Sequence, residues 1–508
     1  MVTLTGTSLT LEQAERVARF DERVELASDA VARMRASREV VERLAAGDAP
    51  VYAVNTGVGL LADTRVPPAD LEQLQRNIVR SHAVGVGEPL PRDVVRAIML
   101  IRANALAAGF SGIRPIVAQR LCDLLNAQVT PVVPSRGSVG ASGDLAPLAH
   151  LALALIGEGE CFDDKGGRIS SAEALKRAQI KPLVLEAKEA VSLINGTQAM
   201  LAVGTLALLA AEMLVDSADV IGAMSCDALK GTHVAFDERI QTARPHPGQM
   251  KTAANLRRLL EQSEIRLSHR DCGRVQDAYS LRCMPQVHGA VRDTLAHCHR
   301  VFETEMNSAV DNPLVFVKNP KALDGEGDVL SGGNFHGQPV AFALDFLAIA
   351  LSSLAGISER RLERLVNPAL NEGLPPFLAP GAGLNSGFMM PQVTAAALVG
   401  ENKVLAHPAS VDSITTSGNK EDYVSMGMTA ANKLKKIVEN TRLTLAIEAM
   451  AAAQAIDFLA PLKPSKPLQQ AHAAIRSVCA TMEKDRVIYR DFARIADLIA
   501  RGEVAAVL

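Results

Sequence analysis

Three stretches of the chain are long and predominantly apolar: residues 189–230, 337–366 and 429–459. Their length and their Ala- and Leu-rich composition predict helices. Charged residues are too sparse in them to clothe a solvent-facing helix, so each is expected to bury much of its surface in a central bundle. The apolar faces exceed what one bundle core needs, which predicts burial against other subunits. The first 185 residues differ, mixing shorter helices with Gly- and Pro-containing loops at 55–59, 85–92, 109–115 and 131–147. A Pro/Lys-rich segment, 461–467, is expected to set off a short helical tail, and the Gly-rich segment 323–334 reads as a loop. The expectation is a mainly α fold with few short strands: a loop-rich N-terminal lobe (1–185), a long-helix bundle (186–460) and a C-terminal tail (461–508), integrated as one unit.

The longest apolar runs, 145–157, 201–215 and 341–357, are shorter than a comfortable membrane span, and Glu212 and Asp345 interrupt the last two. The opening decapeptide lacks the basic start and apolar block of a signal peptide. A net charge of −3 argues against a nucleic-acid surface. Seven cysteines form no Cys-x-x-Cys pair and suit reduced thiols. These features predict a cytoplasmic protein with neither a membrane nor a nucleic-acid partner.

Chemistry concentrates at Ala141-Ser142-Gly143, inside a Gly- and Ser-rich segment that precedes an apolar helix. Small residues let the backbone fold back tightly, so the Gly143 nitrogen can attack the Ala141 carbonyl. Loss of that water, and of a second across the Ser142 Cα–Cβ bond, leaves a five-membered ring with an exocyclic methylene. Such a group is an electrophile that no ordinary side chain supplies. Taken alone, the tripeptide reads as a flexible Gly/Ser turn before a helix. Gly137-x-x-Gly140-x-x-Gly143 is not followed by the Lys-Ser/Thr of a phosphate cradle. His297-Cys298-His299 lacks metal-ligand spacing, and no hydrolase elbow is present. No metal or nucleotide is therefore expected. Polar residues recur in four other apolar or glycine-rich settings: around Tyr52, around His82, at Asn195 to Gln198, and at Gln276, Tyr279 and Arg282, which would share one face if helical.

Gly140-Ala141-Ser142-Gly143-Asp144-Leu145-Ala146-Pro147-Leu148 resembles the segment that forms methylidene-imidazolone (MIO) in the aromatic amino-acid ammonia-lyases. The likeness runs on, in order, through Val54-Asn55-Thr56-Gly57, Ser81 to Gly87, Ile194 to Thr197, Arg274 to Cys283, Gly333 to Gly337, Glu401 to Lys403, His407 to Ile414, and Glu421 to Gly427. Among the family's branches it is most similar to the bacterial histidine-using one. That resemblance implies a mostly helical homotetramer whose active sites borrow residues from three subunits. It implies deamination of L-histidine to trans-urocanate by an MIO group made from Ala141, Ser142 and Gly143. Tyr52 would be the base for the β-proton, with Asn195 and Tyr279 bonding to the cyclised group or the amine. Arg282 would hold the carboxylate, Gln276 would orient the substrate, Phe335 would line the pocket, and His82 and Glu421 would meet the imidazole.

Three departures bear on the substrate: Lys420 and Tyr423 flank Glu421 where the pattern has Gln and His, Val58 replaces a Phe, and Ala53 replaces a glycine after Tyr52. The rival readings are a tyrosine or phenylalanine ammonia-lyase, an aminomutase with the same electrophile, and a non-catalytic helical assembly.

Overall fold

Alanine and leucine lose little freedom on entering a helix, and the computed structural model, which describes residues 1–270, 272–319 and 325–508, is mainly α-helical. The three apolar stretches contain helices Gln198–Ala228, Gln338–Val366 and Gly427–Asp457. A fourth long helix, Met284–Met306, mixes charged and apolar positions and escapes a search for continuous apolar runs. The first stretch is broken near its start. A short helix, Glu189–Ile194, stops at an extended Asn195, Gly196 has φ +149°, and the long helix begins at Gln198.

Strands are short and lie in two-stranded sheets among the described residues. One corrects the expected loop at 323–334: Gly327–Leu330 pairs antiparallel with Leu314–Val317, in the register Leu314↔Leu330. Alternating burial along it is the two-residue period of a strand, which a glycine count conceals. Residues 323 and 324 lie outside the described residues. The apolar runs 201–215 and 341–357 lie within longer helices. Helices Gln198–Ala228 and Gln338–Val366 are long and apolar enough to cross a membrane, with 78% and 61% of their most apolar windows buried within the protein.

Two compact units emerge: Met1–Leu206 with His299–Asp345 and Pro408–Asn432, and Ala207–Cys298 with Phe346–His407 and Lys433–Leu508. In the first, helix Arg92–Ala107 is buried from Val94 onward and packs against Leu11–Phe20 and Pro115–Asn126. Thr10 starts Leu11–Phe20 with a reciprocal cap to Gln13. Helices Leu71–His82, Leu145–Leu155 and Glu189–Ile194 pack on one another. Leu148, Leu151 and Leu155 are fully buried, each contributing roughly 1.5–3 kcal/mol. An antiparallel ladder joins Val86–Pro89 to Pro134–Arg136. Together these elements fix the ends of the loops that carry Tyr52, His82 and Ser142.

The second unit is organised around buried charge. Arg361 meets Glu448 through two bonds of 2.6 and 2.9 Å, and the hydroxyls of Ser225 and Ser358 donate to the same carboxylate. Asp219 accepts from His288 Nδ1 at 2.8 Å and from Arg292 Nη2 at 2.6 Å. Burial lowers the His288 pKa, so the ring is neutral. With Nδ1–H donated to Asp219, its Nε2 is an acceptor facing Arg361 Nη1 at 3.3 Å. None of the seven cysteines is in a disulfide.

Candidate active site

The loop 137–144 is shaped by partners distant in sequence. Ser142 Oγ donates to Glu421 Oε1 at 2.8 Å, and Ser142 O accepts from Asn195 Nδ2 at 2.9 Å. Gly143 has φ +72°, and a Cβ there would lie 2.1 Å from Gly196 O, so no larger residue fits. The Gly196 carbonyl in turn accepts from Asp144 N at 2.7 Å. Asp144 is fully buried; its Oδ1 accepts from Ser138 Oγ at 3.0 Å and its Oδ2 from Met200 N at 2.7 Å. Burial pushes its carboxyl up to about 7 despite those bonds. Glu421 Oε2 accepts from Thr416 Oγ1 at 2.8 Å, which fixes the carboxylate from its other side.

The tripeptide is bent, Gly143 lies where only glycine fits, and an amide donor caps the Ser142 carbonyl. Asn195 Oδ1 is buried and has no protein partner, leaving an acceptor beside the tripeptide. Among the described residues no cluster of three or more His, Cys, Asp and Glu is arranged for a metal ion.

Tyr52 sits in a turn built by its own neighbours. Asn55 Oδ1 accepts from Val51 N at 2.7 Å, and Thr56 Oγ1 accepts from Ala53 N at 3.2 Å. Ala53 takes φ +59°, a conformation that favours glycine. Gly59 N points at the Tyr52 hydroxyl oxygen at 3.4 Å. Gly59 also lies beside Ser417, in the segment leading to Glu421, so the Tyr52 turn and the Glu421 segment are neighbours. His82 ends helix Leu71–His82, where its Nδ1 donates to Ile78 O at 2.8 Å and its Nε2 is left to face other partners. The Val86–Pro89 ladder holds the residues after His82 against Gly137. Phe335 is half-buried in the turn before Gln338–Val366. Tyr423 stacks on His336 with ring centroids 6.0 Å apart. The Lys420 side chain is exposed.

Gln276, Tyr279 and Arg282 belong to the second unit. They do not share a helix face, because the helix there is only Tyr279–Arg282 and Gln276 precedes it. A different geometry gathers them: Arg282 Nη2 donates to Gln276 Oε1 at 3.1 Å, and the guanidinium lies 4.6 Å from the centre of the Tyr279 ring. Arg282 and Gln276 line a cavity of about 940 Å³ together with Arg266, Arg270 and Arg274. Its cationic lining suits a carboxylate.

Sequence reasoning missed Asp144, Ser138, Thr416 and Arg102. Asp144 carried a signal, being the acid directly after the tripeptide. Arg102 carried another, as the cation that ends the apolar run 97–101.

The aromatic amino acid lyase family profile matches residues 9–477, and the chain belongs to that family and is an ammonia-lyase. Within it, the chain is 65% identical to "Histidine ammonia-lyase" of Koribacter versatilis (strain Ellin345), over 99% of this chain and 98% of the relative. The solved histidine ammonia-lyase of Trypanosoma cruzi matches with a TM-score of 0.91 at 43% identity, covering 99% of this chain and 94% of that one. A tyrosine aminomutase from Streptomyces globisporus matches with a TM-score of 0.94 at 38% identity, covering 100% and 98%.

Proposed function

We propose that the chain removes ammonia from L-histidine to give trans-urocanate, using an MIO group formed from Ala141, Ser142 and Gly143. The observation that carries this reading is the pair of bonds at Ser142: its hydroxyl to Glu421 Oε1 and its carbonyl to Asn195 Nδ2. Full-length relatives named histidine ammonia-lyase support the substrate. When formed, the group supplies an electrophilic methylene that takes the substrate amine and makes it a better leaving group.

The chain's own residues do the rest. Cyclisation removes the Ser142 hydroxyl and releases Glu421 Oε1, a carboxylate oxygen free to accept from a substrate N–H. Asn195 holds the Ser142 carbonyl through its amide. Tyr52 withdraws the weakly acidic β-proton. Its oxygen must be deprotonated to take that proton, and the Gly59 N–H points at that oxygen at 3.4 Å. Arg282 binds the substrate carboxylate with charge-assisted hydrogen bonds. Gln276 aligns Arg282 and the substrate, while Tyr279 bonds to the amine or the cyclised group. His82 Nε2 accepts from the substrate imidazole N–H, and Phe335 packs against the ring. Glu421 suits an imidazole N–H or an ammonium better than it suits an uncharged phenyl ring. The working form is a cytoplasmic homotetramer in which three subunits furnish each active site, with neither membrane nor nucleic acid as partner.

Incubating the purified protein with L-histidine, L-tyrosine and L-phenylalanine, and following the conjugated acid by ultraviolet absorption, tests the reading. Urocanate is the expected product. Coumarate without urocanate, or a β-amino acid, would overturn it in favour of a sister lyase or a mutase.

A further inference from the structure

Helix Arg92–Ala107 carries a cation in an apolar setting. Arg102 is 1% exposed, and every residue of the helix from Val94 onward is buried. Burial pushes its pKa down only to about 10, so the charge persists at neutral pH. Asp311, the acid that opposes this shift, is already bonded to Lys188 Nζ at 2.9 Å. Arg102 instead directs Nη1 onto two neutral acceptors, the Asn195 carbonyl at 2.8 Å and Gln198 Oε1 at 3.0 Å. Its Nε and Nη2 have no protein partner. A guanidinium so incompletely satisfied is a poor general cross-link.

What it grips is the peptide that lies against the tripeptide. A Cβ on residue 196 would come within 2.6 Å of Arg102 Nη1, and a Cβ on residue 143 within 2.1 Å of Gly196 O. Guanidinium, peptide 195–196 and Gly143 are therefore layered in direct contact, and the two glycines make the layering possible. From the gripped segment come both bonds to the loop: Asn195 Nδ2 to Ser142 O at 2.9 Å, and Gly196 O accepting from Asp144 N at 2.7 Å. Gln198, the second acceptor, opens helix Gln198–Ala228, so the same nitrogen ties the Asn195 linker to that helix start.

We propose that Arg102 is a positioning residue: it clamps the Asn195–Gly196 peptide so that the Asn195 amide and the Gly196 carbonyl meet the tripeptide in the geometry that cyclisation and turnover require. This rests on the reading in which the tripeptide cyclises. Charge-assisted bonds to a backbone carbonyl are short and directional, so a neutral replacement leaves that peptide without its restraint.

The test compares Arg102→Met and Arg102→Lys with the wild-type chain by intact mass, melting temperature, kcat and KM. Wild-type protein should show the loss of two waters; if it keeps its encoded mass, the functional reading itself fails. In Arg102→Met, a large share of folded chains should retain unlost water, and kcat should fall about 100-fold, the scale of a small misplacement at a reacting centre. KM should stay within about threefold, because the residue does not touch substrate. Arg102→Lys keeps the charge on a shorter, flexible stem without the planar guanidinium, so it should lose both waters and sit about tenfold below wild type in kcat. A folded Arg102→Met with complete water loss and kcat within about threefold of wild type would overturn the proposal. If Arg102→Met does not fold, wild-type kcat in Arg102→Lys would overturn it equally.

Discussion

Ser142 and Arg282 stand in differently built surroundings. The Ser142 loop is bonded to Asn195, Met200 and Glu421 as well as within itself, and these partners lie 53 to 279 residues away for the bonds of Ser142 and 56 for that of Asp144. Among the described residues Arg282 has one side-chain bond, to a glutamine six residues away, and it stacks on a tyrosine that is 70% exposed. The loop is over-determined, as a segment must be if it is to react with itself. The Arg282 group is under-determined, and in the proposed reading the substrate carboxylate completes it. Defects in the loop should therefore appear in chemistry and in covalent mass, while defects at Arg282 should appear in binding.

Ser142→Ala should have the largest effect, since the second dehydration has no hydroxyl to expel. A fall in kcat of about 1,000-fold or more is expected, with the mass of at least one water retained; near-normal turnover would break the comparison. Arg282→Met should leave the two-water mass loss intact and raise KM for L-histidine. Losing a hydrogen bond to a charged group costs about 1.5–3 kcal/mol, or roughly 10- to 150-fold. An unchanged KM with a low kcat would place Arg282 with the loop instead.

Stability against pH sharpens the contrast further. Burial raises the Asp144 carboxyl from 3.8 to about 7. Between those values the folded state holds a proton that the unfolded chain releases, so Asp144 makes stability fall as pH rises through the window. Asp144→Asn should flatten that part of a melting-temperature profile; an identical slope in both proteins would contradict the assignment. The smallest effect is expected at the Tyr52 turn. Ala53 adopts a left-handed backbone, so Ala53→Gly should relieve about 1 kcal/mol of strain, read as a higher denaturation midpoint with unchanged water loss.

Much of the fold was legible because long Ala- and Leu-rich runs have few alternatives to a buried helix. Met284–Met306 was not, since its apolar residues are interleaved with charge. Strand Gly327–Leu330 was hidden because its pairing with Leu314–Val317 carries more information than its own composition. At the site, the tripeptide stands out through the motifs that accompany it along the chain, since by itself it reads as a turn. Its contact with Glu421 spans 279 positions, and no local spacing rule reaches that far. Gln276, Tyr279 and Arg282 were rightly grouped for a wrong reason. A guanidinium reaching back to a glutamine and over a ring gathers them, where helical periodicity had been expected. Arg102 shows the converse case: its identity was visible, but its purpose depends on two glycines that let it approach peptide 195–196.

The central claim is that Ala141-Ser142-Gly143 turns itself into the electrophile, and the intact mass of active wild-type protein tests it most directly. The account predicts a chain lighter than its encoded sequence by two molecules of water, with the loss confined to the peptide containing residues 141–143. An active enzyme that retains its full encoded mass would contradict it.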